Sequence, residues 1–404
     1  MTDPGAAPAP APSVAEHRAR VLAGAGALAR TERVPLTAAL GRRLAADVVA
    51  TLAVPPFDHS AMDGFAVRTA DLGALPAELP VTGVVAAGDD VVPLGEGAAV
   101  RIMTGAPVPP GADVVIPFEW TTGADPVRIE RAAAPGRHIR REGEDVGAGE
   151  IALRAGTRLG PAQLGLLTSV GATEVEVRVR PRLAVVSTGA ELVGGQVPDS
   201  NTPTLLAAGR AAGSDASAFG PAPDDPQRFL ALLQAAADAA DVVVTTGGIS
   251  AGDHDVVKAA LRERDGFWFG PVAMKPGRPQ GCGVLVASDG RRVPVVTLPG
   301  TPIAAYASFL LYVVPLLRTL AGTPWEPVTA PLAEAVTATD RTVLLPARHV
   351  ENGRIAALPG HAGHSQRLLA AADALLVVPP SARLVPEGTP VEVLALHPEE
   401  EPHG

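Results

Sequence analysis

Between residues 182 and 322 the chain alternates uninterrupted apolar runs with helix-like segments, and this alternation constrains the fold more than any other feature. LAVVS (183–187), DVVVTTGG (241–248) and VPVVTLPG (293–300) lack the polar residue at every second position that a half-exposed strand would show. Helical segments separate them, over 202–212, from Asp224 onward with Pro226 in the first turn, over 253–264 with Asp253 placed as a cap, and over 302–320. Buried strands joined by helices predict a central parallel sheet covered on both faces, a multi-domain α/β protein.

The flanks have a different character. Ser13 precedes a helical segment over 13–30, and Glu16 three residues on completes a capping-box spacing. From 54 to 135, proline and glycine punctuate short Val-rich runs, which predicts an all-β module. Residues 151–179 are short and mixed, with a helix expected at 161–169 behind a first-turn proline. Residues 326–396 return to short strands and turns, a small closing β domain. The expected domains are a disordered leader over 1–12, a discontinuous helical and mixed domain over 13–53 and 146–179, an inserted β module over 54–145, an α/β domain over 180–323 and a C-terminal β domain over 324–404. The leader has no basic stretch before an apolar core, unlike a signal peptide. The most apolar run, 303–317, is shorter than the ~20 residues that span a bilayer and contains Pro315, so a soluble cytoplasmic protein is expected.

Composition excludes several functions. One cysteine, Cys282, rules out a disulfide framework and Cys-rich metal sites. It follows a glycine and leads into a Val-rich strand, so a small core residue is expected rather than a nucleophile. Aromatics at 3% argue against a base-stacking groove, and a formal charge of -10 argues against nucleic acid or anionic membrane as partner. Lys258 and Lys275 are the only lysines, which draws attention to their placement.

In an open α/β sheet, ligands bind beyond the carboxyl ends of the strands. That rule selects STGAEL (187–192), TTGGISAGDHD (245–255) and LPGTP (298–302). Gly247-Gly248 leads from a strand into a helix, which suits a phosphate or a similar oxyanion, although an ordinary strand–helix turn looks the same. Neither a Walker loop nor GxGxxG is present. Glu191 and Asp255 beside an anion site suggest a bridging divalent cation. MKPGRP (274–279) sets Lys275 three residues before Arg278 on a stiffened loop, two cations for a polyanionic ligand. Lys258 reads as a surface residue of the HDVVKAAL helix. In the β module, PPFDHSAMDGFAVR (55–68), MTGAPVPPGAD (103–113) and RREGED (140–145) are unusually polar, though each alone is also turn chemistry or surface ion pairing. His361 and His364, in a Pro/Gly-rich stretch without a third ligand, are weak evidence for zinc.

Together PPFDHSAMDGFAVR, RIMTGAPVPPGADVVIP, RREGED, STGAEL, TTGGISAGDHDVVK, AMKPGRP and LPGTPIAA, in this order, resemble the molybdopterin molybdenumtransferase family (MoeA, and the E domain of gephyrin) over nearly the whole chain. The resemblance implies an elongated four-part homodimer with a molybdopterin-binding-type domain and a β-barrel-like C-terminal domain. It implies an Mg²⁺-dependent transferase that takes adenylylated molybdopterin and molybdate, releases AMP and leaves molybdenum on the pterin dithiolene. Partner molybdopterin adenylyltransferase and molybdoenzymes would act before and after it. Catalytic roles would fall on Asp63, Thr104, Glu191 and Asp255, with Glu191 and Asp255 placing the metal. Substrate contacts would fall on Arg140, Asp145, Thr188, Asp224, Gly247, Gly248, Ser250, Lys275, Arg278, Pro299 and Pro302. The β module of one subunit would face the α/β cleft of the other. The chain departs from the family at His59 and Thr301, where asparagine is usual, at Arg278, where lysine is common, and at QGCG (280–283), where the family is more apolar. Two other readings stay open: adenylylation of molybdopterin with ATP, and a non-catalytic pterin-binding scaffold.

Overall fold

The strands of the central sheet lie side by side in the order Asp215–Ala218, Arg182–Ser187, Val242–Thr246, Arg292–Leu298, Pro279–Val286 and Trp268–Pro271. A computed structural model supplies this architecture; it describes residues 10–90, 93–249, 255–323, 325–360, 365–381 and 383–396. The chain forms two compact units, Met1–Ala29 with Val179–Gly404, and Arg30–Arg178.

In the first unit, the four strands from Asp215–Ala218 to Arg292–Leu298 are parallel, as expected. The last two are antiparallel, so the sheet is mixed rather than parallel. The cause is a tight turn. Ala287 donates to Arg291 O at 2.8 Å and Gly290 to Ala287 O at 2.9 Å, which joins Pro279–Val286 to its neighbour as a hairpin. A parallel connection would need a crossover of a dozen or more residues. An apolar run reads the same in either direction, so the alternation alone does not reveal the reversal.

Both faces of the sheet are covered. Leu183, Val185, Val244, Val296 and Leu298 join one core with the Pro302–Leu320 helix. Their neighbours Ala184, Val186, Val243 and Val295 join another with Phe229, Leu233, Val257 and Leu261 from the helices Pro226–Ala239 and Val256–Leu261. Pro302–Leu320 is long and apolar enough to cross a membrane, yet 78% of its most apolar window is buried inside the protein. The first helix, Val14–Leu22, carries the expected capping box: Ser13 Oγ accepts from Glu16 N at 3.2 Å, and Glu16 Oε2 accepts from Ser13 N at 2.7 Å. Its buried Val14 and Val21 pack into the core of the Pro302–Leu320 helix.

The C-terminal β domain is an open sheet, not the barrel expected. Its order is Met274–Lys275, Thr342–Val350, Ala374–Val378, Pro390–Ala395, Val328–Pro331, with Arg354–Ala357 also paired to Thr342–Val350. Closure would need its two outer strands to pair. Instead, one outer position is taken by Met274–Lys275 from the α/β region, parallel to Thr342 and Val343, and the end of Val328–Pro331 meets Arg354–Ala357 only through the isolated bridge of Leu332 and Ile355, not through a ladder that would make a barrel wall.

The second unit holds the β module. Val81–Val85, Ala99–Ile102, Gly64–Val67 and Val114–Pro117 form a four-stranded sheet. His59–Ser60 pairs with Ile139–Arg140, and Thr31–Pro35 with Glu174–Arg178. The helix Pro161–Ser169 forms where Pro161 predicts it.

Candidate active site

In the first unit, STGAEL, TTGG and LPGTP leave adjacent parallel strands at one edge of the sheet. Backbone contacts draw them together. Thr188 N donates to Thr246 O at 3.0 Å, and Gly247 N to Leu298 O at 3.1 Å. Gly247 has φ +90°, and a Cβ there would sit 2.7 Å from Thr188 O, so no residue with a side chain fits without moving the loop. Beyond it, Gly248 O accepts from Lys258 N at 3.1 Å, which turns the chain into the Val256–Leu261 helix.

Asp224, 36 residues beyond Thr188 in sequence, joins the same edge: its Oδ2 accepts from Ala190 N at 3.2 Å, at the start of the short helix Ala190–Val193. The Glu191 carboxylate folds back over Gly189, so close that a Cβ on Gly189 would lie 2.5 Å from Oε1.

Asn201 is the residue sequence reasoning missed. Its Nδ2 donates to Thr246 Oγ1 at 2.9 Å and to Gly300 O at 2.8 Å, and the Thr246 hydroxyl donates on to Pro299 O at 3.0 Å. One side chain thus ties two of the loops. Nearby, burial works against ionisation of Asp199, but hydrogen bonds, two of them from the Thr202 N–H and hydroxyl, more than offset it and hold its carboxyl below the usual range. The only hint in sequence is the polar DSNT run before a helix, which also reads as an ordinary cap.

The antiparallel strand explains how the cationic loop reaches this edge. Because Pro279–Val286 runs against Arg292–Leu298, its amino end lies beside the other's carboxyl end, with Gly281 opposite Thr297. MKPGRP therefore enters the sheet at the edge that LPGTP leaves. Lys275 and Arg278 are exposed, and neither side chain has an ion-pair partner among the described residues. Lys258 is half-buried.

Asp255, not Asp253, stands at the N-cap position of Val256–Leu261, but its side chain makes no capping bond. Its Oδ2 is buried with no hydrogen-bond partner among the described residues. A buried carboxylate oxygen without a donor is costly unless a cation or ligand meets it. Carboxylate oxygens such as those of Asp255 and Glu191 are the donor type a hard divalent ion takes. No group of three or more His, Cys, Asp or Glu side chains suited to a metal occurs among the described residues. Ser250, Asp253, His361 and His364 lie outside the described residues.

In the second unit, three polar segments converge that the sequence left separate. Ser60 N donates to Ala106 O at 2.9 Å, and Gly105 N to Ser60 O at 2.8 Å, which brings 55–68 against 103–113. Strand pairing sets Arg140 opposite His59. Asp63 accepts from the Thr104 backbone and hydroxyl, and these two bonds, the backbone one foremost, lower its pKa. Arg140 reaches Glu144 Oε1 at 3.0 Å, and Arg141 pairs with Asp58 at 2.5 Å. Asp145 is exposed and bonds through its backbone to Val54 O at 3.0 Å.

The sheet edge with its glycine loops, carboxylates and exposed cations, and the β module presenting Asp63 and Thr104, give an α/β protein with a candidate anion site at one sheet edge. Comparison with known proteins sharpens that class. The chain matches the MoeA N-terminal region (domain I and II) over residues 12–171, a probable molybdopterin binding domain over 184–319, and the MoeA C-terminal region (domain IV) over 329–396. It is 41% identical over 405 residues to molybdopterin molybdenumtransferase 2 of Mycobacterium tuberculosis, covering 94% of this chain and 98% of that protein. It is 34% identical over 389 residues to molybdopterin molybdenumtransferase of Synechococcus elongatus, covering 90% and 94%. The crystal structure of molybdopterin biosynthesis moeA protein from Pyrococcus horikoshii OT3 superposes with a TM-score of 0.78 at 28% identity, covering 96% of this chain and 100% of that one. The chain belongs to the molybdopterin molybdenumtransferase (MoeA) family.

Proposed function

We propose that this chain inserts molybdate into adenylylated molybdopterin with release of AMP, in an Mg²⁺-dependent reaction in the cytoplasm. The observation that carries this reading is the sheet edge where Gly247, Gly248, Thr188, Glu191 and Asp224 gather beside a loop bearing Lys275 and Arg278. Backbone N–H groups of the Gly247-Gly248 loop, with Ser250 and Thr188, hold phosphate. Pro299 and Pro302 shape the adjoining wall, and Asp224 orients the loop around Glu191. Lys275 and Arg278 take the oxyanion, the guanidinium offering paired donors that an ammonium lacks.

Glu191 and Asp255 would hold Mg²⁺, whose chemistry when bound is to neutralise charge on the phosphoanhydride as AMP leaves. Asp63 and Thr104 orient the reacting groups, and Arg140 and Asp145 line the same face of the β module. We read the two sets of loops as one site completed across a homodimer, the β module of one subunit serving the cleft of the other. The match to molybdenumtransferases over nearly the whole chain supports this reaction over adenylylation or scaffolding. Purified protein mixed with adenylylated molybdopterin should release AMP when molybdate and Mg²⁺ are both present. Adenylate formation from ATP and molybdopterin, or tight pterin binding without AMP release, would overturn the reading.

A further inference from the structure

Gln280 is a buried amide directly beneath the KPGRP loop. It is 1% exposed. Its Nε2 donates to Gly277 O at 2.7 Å and to Ser308 Oγ at 2.6 Å. A carbonyl only accepts, so the atom facing Gly277 must be the NH₂ end. That orientation uses both N–H bonds and leaves Oε1 buried with no hydrogen-bond partner among the described residues.

The loop above is seated on this amide. Gly277 lies between Lys275 and Arg278, immediately before Arg278, at φ +92°. A Cβ there would stand 3.1 Å from Ser308 Oγ and 3.3 Å from Gln280 Nε2. Val272 N donates to Arg278 O at 2.7 Å and closes the base of the loop. Gln280 thus holds the loop's apex carbonyl, and its second N–H fastens that apex to the Pro302–Leu320 helix through Ser308.

An unpaired buried acceptor is costly, and such a cost persists where function retains it. We propose that Gln280 is a positioning residue for oxyanion binding: its amide fixes Gly277 so that Lys275 and Arg278 are presented together. This rests on the reading that those two cations take the molybdate.

The test compares wild type with Gln280→Met, which keeps length and apolar bulk without donor or acceptor, and with Gln280→Leu as a second variant. Molybdate KM, kcat, thermal midpoint and the molybdate-induced thermal shift are measured on each. We expect molybdate KM to rise about tenfold, the effect of misplacing one charge-assisted hydrogen bond. kcat should stay within about twofold and the molybdate-induced shift should shrink; the midpoint is no criterion, because the orphan acceptor goes while Gly277 O and Ser308 Oγ lose their donor. A merely structural glutamine would instead leave both molybdate KM and the molybdate-induced shift at their wild-type values, and that result overturns the proposal. Inactive wild type would overturn the proposed reaction itself, and in that case the molybdate-induced shift still judges Gln280: a shift equal in wild type and variants refutes it.

Discussion

Asp63 Oδ1 accepts both the Thr104 N–H at 2.7 Å and the Thr104 hydroxyl at 2.8 Å, across 41 residues of sequence. The two motifs that resemble the family's functional loops are therefore one bonded pair. Asp63 is exposed, and the bonds that lower its pKa keep it charged and fixed without burial. Asp63→Ala should leave the fold intact and cut AMP release about 100-fold by releasing a positioned group. Melting curves and AMP release check this; wild-type turnover in the variant contradicts it.

Asp255 gives the opposite signature to a structural acid. Its buried Oδ2 lacks a partner among the described residues, so Asp255→Asn should be neutral or stabilising, because a buried charge is replaced by an uncharged amide. If the carboxylate serves Mg²⁺, the same substitution should abolish the Mg²⁺ dependence of AMP release. Activity titrations against Mg²⁺, beside melting curves, separate this from a fold defect.

Asn201 acts as a donor to two loops at once. Asn201→Asp keeps the shape but cannot donate, so it should raise KM for the pterin substrate about tenfold, as should Asn201→Ala, at roughly one hydrogen bond's worth of binding. Steady-state kinetics with varied pterin decide; wild-type KM in the aspartate variant refutes the role.

His17 predicts an acid-sensitive fold. Its ring is fully buried, 5.0 Å from Trp268 and 4.7 Å from Tyr312 between centroids, with neither nitrogen hydrogen-bonded among the described residues. Burial foremost, then nearby Arg20, pushes its pKa down from 6.5 to about 4. Above pH 6.5 it is neutral whether folded or not. As pH falls from 6.5 to 4 the unfolded chain takes a proton that the native state refuses, so stability is lost through that window, by about 3 kcal/mol in all. Urea titrations at pH 7 and pH 4.5 should show a smaller loss for His17→Phe than for wild type; equal losses contradict the assignment.

Much of this was readable in the chain. The Ser13–Glu16 box, the buried parallel strands and the loops at their carboxyl ends are local patterns, and local patterns survive folding. What eluded reading depends on direction and distance. The apolar run 279–286 does not announce that it runs antiparallel, yet that reversal brings Lys275 and Arg278 to the site's edge. Asn201 meets partners 45 and 99 residues away. The short strands of the C-terminal domain match a barrel or an open sheet equally, until Met274–Lys275 takes one outer position.

The proposed sharing of the site across a homodimer makes a sharp prediction. Asp63→Ala and Glu191→Ala should each be inactive, but after the two are unfolded and refolded together, about a quarter of wild-type activity should return, because half the dimers are mixed and each has one intact site. No recovery would place the two sets of residues in one subunit or in separate functions.

The most direct test of the account counts molybdenum against AMP. With adenylylated molybdopterin, molybdate and Mg²⁺, the protein should release one AMP for each molybdenum that becomes bound to the pterin, and neither product should form when molybdate is withheld. AMP released at the same rate without molybdate, or molybdenum bound without AMP release, would contradict it.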